Sequence, residues 1–431
     1  ALTVGRRERA ANTLSSRKWK ALPITNDLGV VEYATDGIGL LLPTSLCSGQ
    51  AGNMIAKRLH ERFVVNAAAE APAGKTFETT TTVTHADGTK KSITYSGPAG
   101  GAAKKSPPFS RIVAIPHTEG CGSSGGDSED LANRTLIHHL LHPNVRYSVL
   151  LEHGCEKTHN DAFQNEISKA GRSTEQFDYL SLQLDGGVEK CFVSSADNFA
   201  RAFKRMPLQE RTEVGLDKLS IAVISRDPVP DHVQKGLATL VRAIIEAGGN
   251  VVCAGTIVAP GPFVIDLFEG GDAGPTDGRA VRDEETGDLV VPKTLGYGQL
   301  PAENGLHIMQ TSSTHYVEML TGVVGTGVGV VLAYAARPVQ SHPMIPTVQF
   351  GLARGSNSWS GEGIPDTALA AGVDLMLPKP PADAGAAEED ATATALMDLV
   401  LSVASGERVP VAMQVGNTDF QLSRGFTGIS L

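Results

Sequence analysis

The feature that most constrains this chain is a repeated unit: an apolar run of strand length, a loop of small and polar residues, then a helical pattern. Ile38 to Leu42 is one such run, followed by PTSLCSGQ and a helical stretch from Ala51 to Phe63. Arg111 to Pro116 leads through HTEGCGSSGGDSED into a helix over about Ser128 to Leu141, with Asp127 or Ser128 as its cap and Pro143 beyond its end. Tyr147 to Leu151 ends in EHGCEKTHND, and Tyr179 to Leu184 ends in DGGVEKC with a helix to about Met206. The pattern restarts at Ser220 to Ser225, with a helix from Val233 to Ala247 closed by Gly248 and Gly249, then NVVCAG. HIMQTSS, VGVVLAYA and PTVQF read as further strands. Apolar strands alternating with helices specify parallel sheets covered on both faces. The fold class is therefore α/β, with two open, mostly parallel α/β units.

Two segments interrupt the rhythm. Thr76 to Tyr95 is Thr-rich and alternating on either side of Asp87-Gly88, which predicts an inserted β-hairpin arm. Gly270 to Gly298, rich in Gly and Asp, reads as a surface excursion. At 431 residues the chain exceeds one ordinary core. It divides into a basic arm over 1–36, a first α/β domain over 37–210 and a second over 211–431 that ends in a helix at Ala393 to Ala404 and a tail.

A net charge of −10 without a basic stripe excludes a nucleic-acid surface. No apolar run approaches the roughly 18 residues a membrane span needs; Val323 to Ala336, the best candidate, is studded with glycine and reads as a buried strand. Five cysteines in so long a chain point to a reducing compartment. That is the cytoplasm, or an organelle matrix if the basic, acid-poor opening is the end of a transit peptide.

The chemistry-bearing residues gather in loops just past strand ends, where open α/β sheets bind ligands. Cys47 and Ser48, before a helix, suit an anion. His117 and Cys121 place imidazole and thiol four residues apart on a glycine turn. His153, Cys155, Glu156 and Lys157 crowd thiol, carboxylate, imidazole and amine into one short loop. Burying such groups unpaired is costly, so a metal-capable site is the economical reading, with a hydrogen-bonded polar cluster as its alternative. Lys190 follows a Gly-Gly turn, and Arg337 follows a glycine-rich segment; either cation suits a carboxylate. His138, His139 and His142 read as a packed or solvated helix face.

The ordered set HTEGCG, HPNV, GCEK, ASGE and the closing GNTDFQLSRGFTGISL resembles the altronate and galactarate dehydratases, a family that also contains the large subunit of sulfolactate sulfo-lyase. The likeness runs from about Gly37 to Leu431 with interruptions. It implies a metal-dependent hydro-lyase, helped by Fe(II) or another divalent cation, that dehydrates a small anionic sugar acid to a 2-keto-3-deoxy acid. It nominates His117, Cys121, Cys155 and Glu156 as ligands and His117, Glu156 and His153 as candidate bases. Cys47, Ser48, Lys157, Lys190 and Arg337 are the substrate-binding candidates.

The chain departs from the family in three places. The family's small N-terminal domain does not precede the first unit here; in the sulfo-lyase it is a separate chain, so a small partner chain, a homo-oligomer or a larger complex is expected. A Gly-Gly-Ser-Asp-like turn is replaced by Ser225-Arg226-Asp227-Pro228. The hairpin and the excursion look like insertions. These departures keep a second reading open, a non-catalytic assembly subunit. A third reading, a redox thiol protein, lacks a C-x-x-C pair.

Overall fold

Strands that are apolar on both faces need helices on both faces, and the chain meets that need twice. The computed structural model describes residues 13–65, 76–84, 90–98, 108–120, 126–173, 176–207, 209–255, 282–283, 287–288, 293–311, 315–355, 366–379 and 385–423. Strands β1 (Lys18–Thr25) and β2 (Val31–Ala34) precede the first α/β unit. That unit runs β3 (Ile38–Pro43), α1 (Leu46–His60), β4 (Thr76–Thr84), β5 (Lys90–Pro98), β6 (Arg111–Ala114), α2 (Asp127–Leu140), β7 (Val145–Glu152), α3 (Asn160–Lys169), β8 (Phe177–Ser181) and α4 (Val188–Arg205). After β9 (Thr212–Gly215), the second unit runs β10 (Ser220–Ser225), α5 (Asp231–Glu246), β11 (Asn250–Gly255), β12 (Arg282–Asp283), β13 (Gly287–Asp288), β14 (Lys293–Leu295), β15 (Leu306–Gln310), α6 (Tyr316–Gly325), β16 (Val330–Tyr334), β17 (Thr347–Leu352), α7 (Asp366–Gly372), β18 (Leu375–Leu377), α8 (Ala386–Ala404) and α9 (Val411–Gln414).

The first sheet has the order β6-β3-β7-β8 and the second β14-β15-β11-β10-β16-β17-β18. Every pairing within these two sheets is parallel. The α/β class and the two open parallel units follow from this topology. Each sheet has one point where the crossovers leave adjacent strands in opposite directions: between β3 and β7 in the first, and between β10 and β16 in the second. Such points open a crevice beyond the carboxyl ends of the strands.

Packing explains the layer order. Helix α4 buries Cys191, Ser195, Ala196, Phe199 and Ala202, a helical spacing that makes one apolar stripe. With α1 it covers one face of the first sheet through Leu41, Val149 and Leu151. Helix α1 lies close on the sheet because Gly52 has no side chain; a Cβ there would come within 2.6 Å of the Pro43 ring. The other face, with Ile38, Leu40, Leu42 and Leu150, joins a core that also contains Leu136 and Leu140 of α2, Val323 and Val324 of α6, and Ile224, Val331 and Ala333 of the second sheet. The two units therefore share one hydrophobic core. Helices α5 and α8 pack together on the far face of the second sheet.

The strands Ser220–Ser225 and Asn250–Gly255 fall where the sequence predicts them. Other elements differ. Residues 18–34 are not a free arm. Trp19 and Ala21 are buried, and β1 pairs antiparallel with both β2 and β9. The run Val323 to Ala336 is not one strand, because Val323 to Gly325 finish helix α6 and the strand starts at Val330. A fully buried helix and a fully buried strand look alike in periodicity, which is why the apolar run misleads. The cap of α2 is Gly126, at φ +85°, in place of Asp127 or Ser128. The hairpin strands pair as predicted, with Thr84 opposite Lys90, and the Asp87-Gly88 turn lies outside the described residues. Most of the Gly270 to Gly298 excursion lies outside them too.

Candidate functional site

The carboxyl edge of the first sheet collects the loops after β3, β6 and β7. Thr44 and Ser45 follow β3, His117 lies beyond β6, and the residues from His153 to Thr158 follow β7. Backbone bonds lock the loops together: Thr44 N donates to Leu151 O at 3.1 Å, and Leu46 N to Glu119 O at 2.7 Å.

Glu156 is the hub. Its Oε1 accepts from the Ser45 hydroxyl at 2.5 Å and from His153 N at 2.6 Å. Its Oε2 accepts from Gly154 N at 2.7 Å and Cys155 N at 3.1 Å. Gly154, at φ +110°, lets the loop curl so that its amides face the carboxylate. Burial pushes the carboxyl up, but the Ser45 hydroxyl and the His153 and Gly154 amides outweigh it and hold Glu156 below its usual range. A carboxylate offers about four acceptor positions, and these donors fill them.

His117 is committed in the same way. Glu119 N donates to its Nδ1 at 3.2 Å, so the proton sits on Nε2, which donates to Pro43 O at 3.1 Å. Burial drives its pKa down to about 4, against smaller opposing effects of the Pro43 carbonyl and the Glu119 charge. It is a neutral ring with both nitrogens in use.

The expectation that His117 and Glu156 serve as metal ligands or bases therefore conflicts with their hydrogen bonds, since neither keeps a lone pair for a metal or a proton. Cys155 is exposed, with its Sγ 3.2 Å from His153 Nδ1. Cys121 lies outside the described residues. Among the described residues no group of three or more His, Cys, Asp or Glu side chains is arranged to hold a metal ion.

Beside this locked loop lies an open cleft of about 390 Å³, its solvent-filled mouth included. Its walls are Thr44, His117, Glu119, Gly120, Glu129, Ala132, Asn133, Leu136, Glu156, Lys157, Thr158 and Leu422. Lys157 is the cation of that lining, which also includes the carboxylates Glu119 and Glu129. The Thr158 hydroxyl donates to Glu129, and the buried Thr44 hydroxyl has no hydrogen-bond partner. The C-terminal tail closes one side: Gln421 Nε2 donates to the Thr118 hydroxyl at 2.7 Å, and the Phe420 ring packs edge-on at 5.1 Å from His139 and 5.6 Å from His342.

The remaining predicted residues scatter. Cys47 is exposed in the first turn of α1. Ser48 is fully buried and binds no substrate there, because its hydroxyl donates to Ser45 O at 3.1 Å and accepts from Ser45 N at 3.4 Å, tying down the start of α1. Lys190 is exposed in the first turn of α4, its stem lying over Gly186, and does not line the cleft. Arg337 follows β16 on the carboxyl edge of the other sheet. His139 and His142 are buried, as a packed helix face requires.

Sequence reasoning missed Glu129 and Asn133 as site residues. Their i, i+4 spacing puts both on one face of α2, directly after the His117 loop, a signal that was available. Thr158 is in the nominated loop, but nothing local marks Gln421 or Leu422.

Residues 38–206, from the first residue of β3 to just past α4, match the family described as D-galactarate dehydratase/altronate hydrolase, second domain. This segment of the chain belongs to that domain family. The matched stretch is the first α/β unit, and it supplies every lining residue of the cleft except Leu422. No curated protein matches the chain. Among the described residues no helix is long and apolar enough to cross a membrane.

Proposed function

We propose that the chain is a hydro-lyase that dehydrates a small anionic sugar acid to a 2-keto-3-deoxy acid in the cleft between α2 and the loop after β7. The observation that carries this reading is the composition of the lining: one ammonium, Lys157, the carboxylates Glu119 and Glu129, the hydroxyls of Thr44 and Thr158 and the amide of Asn133 border one cleft. Lys157 takes the substrate carboxylate, and the polar side chains orient its hydroxyls. One of the two glutamates removes the C2 proton, and the other, protonated, delivers a proton to the C3 oxygen so that it leaves as water. The resulting enol tautomerises to the keto acid, which balances the reaction as loss of one H₂O. Glu156, saturated by Ser45 and its own loop, holds Lys157 and Thr158 in place. Fe(II) or another divalent cation would supply Lewis-acid help to the departing hydroxyl, with Cys155 and Cys121 as its nominated ligands; the steps above are those of the chain's own side chains.

The test is 2-keto acid formation by the full chain over a panel of aldonates and aldarates. Turnover of at least one acid is expected. Lys157→Ala should raise KM, whereas Glu119→Gln and Glu129→Gln should lower kcat by about a hundredfold or more, the usual weight of general acid–base catalysis. Folded protein that turns over none of the panel overturns the reading. A second reading, a non-catalytic assembly subunit, draws on the internally satisfied His117 and Glu156. It predicts a chain that runs only within a large complex, with a small partner chain or further copies of itself, and is inert in the assay.

A further inference from the structure

The second sheet has its own crevice between β10 and β16, and the residues around it form a basic edge that the cleft does not use. Ser225 pairs with Tyr334 in register at the ends of those two strands. Arg226 follows Ser225 directly, and Arg337 lies just past Tyr334. Neighbouring strands run about 4.8 Å apart, so two guanidinium-bearing loops leave the sheet side by side. Both arginines are exposed, and neither makes a hydrogen bond or ion pair with a described residue. A third, Arg354, follows β17, the next strand in the sheet, and also acts on Tyr334.

Among the described residues of this edge, the carboxylates Asp227 and Asp366 accept from backbone amides. Asp227 Oδ2 accepts from Ala336 N at 3.1 Å, which also ties the two loops together. Asp366 accepts from Arg354 N at 2.9 Å and Gly355 N at 2.8 Å. A second observation points the same way. Tyr316, the first residue of α6, is 5% exposed, yet its hydroxyl has no hydrogen-bond partner. Burial pushes that hydroxyl's pKa up, and the charge that opposes the shift is Arg226. A buried O–H left unpaired is costly, and this one stands at the start of a ten-residue helix where the Arg226 charge acts on it.

We propose that the chain binds a small dianion, of which a phosphate group is the type, between Arg226 and Arg337 at the carboxyl ends of β10 and β16. One fork satisfies a single carboxylate; two forks carried at the ends of adjacent strands suit a ligand with two anionic faces. The Tyr316 hydroxyl donates to the same ligand. The turn Ser225-Arg226-Asp227-Pro228 is then a binding element in its own right, carrying a guanidinium where a Gly-Gly turn would offer only amides.

Calorimetric titration of the full chain at low salt, with inorganic phosphate in one arm and tartrate in the other, tests this. Phosphate should bind at one site, and Arg226→Ala and Arg337→Ala should each weaken it about tenfold or more, the effect of losing one charge-assisted contact. Tyr316→Phe should weaken it by a smaller factor and leave the unfolding temperature close to wild type. Tartrate binding tighter than phosphate with the same arginine dependence also supports the site and identifies the dianion as a dicarboxylate. Binding that both arginine variants leave unchanged, or that Lys157→Ala abolishes, overturns the proposal, as does no binding of either anion. The Lys157→Ala arm keeps this result separate from the fate of the dehydratase reading.

Discussion

Glu156 shows how a reactive-looking residue can be fully occupied by its own fold. A carboxylate flanked by cysteine, lysine and histidines looks like a ligand; with four donors on it, it is the keystone of the loop after β7. Glu156→Gln replaces one acceptor oxygen with an amide group that faces backbone N–H donors. The expected cost is about 2–4 kcal/mol of stability, read as a lower denaturation midpoint in urea, with Ser45→Ala costing less. Residue types were legible in the sequence here, whereas the filling of their lone pairs depends on Ser45, 111 positions away along the chain. The buried histidines give a second expectation. His117 and His142 are held down to about 4 and His139 to about 3, in each case by burial first. Their folded pKa values are below the unfolded value of about 6.5. The stability they confer is therefore complete above pH 6.5. It is lost as pH falls from there toward 4, because the unfolded chain then binds protons that the folded chain refuses. Each contributes about 1.4 kcal/mol of loss per pH unit in that window. Thermal unfolding at pH 7.5, 6.5 and 5.5 should show a steady fall only below 6.5, less steep in His139→Leu, and a flat profile would contradict it.

Among the elements, the strands after which chemistry sits were legible because fully buried parallel strands are short, β-branched and end in small polar loops. β10 and β11 illustrate this with SIAVIS and NVVCAG. Helix α6 was not legible, since its nine buried residues leave no polar face to mark a helical period. The tail after α9 was not legible either. Its contact from Gln421 to Thr118 spans 303 positions, and no local pattern encodes such a distance. Phe420 nevertheless sits among the rings of His117, His139 and His342. Phe420→Ala should cost about 3–5 kcal/mol through the cavity it leaves, and should raise KM in the sugar-acid assay as the Leu422 wall loosens. A variant with unchanged unfolding temperature would show that the tail only rests on the surface.

For the whole molecule, the shared core decides how the units behave. Apolar residues of both sheets meet around α2 and α6, and Arg111 of the first unit donates to Met344 O of the second at 2.6 Å while also pairing with Asp36. Scanning calorimetry should therefore give a single transition, and two resolved peaks would mean that the halves fold independently. The two-unit division was readable from the chain because the α/β rhythm restarts near Ser220. The common core was not, because periodicity shows that a face is buried and not what buries it.

The insertion between α1 and β6 has a consequence of a different kind. Helix α1 begins at the carboxyl edge of its sheet and runs away from it, so the chain from Val65 to Pro108 departs and returns at the opposite rim from the cleft. A fused reporter in that stretch is therefore expected to leave turnover of the sugar acid unchanged, and a loss of turnover would contradict this. Changes there enter and leave at the rim away from the cleft, where variation in length is tolerated best.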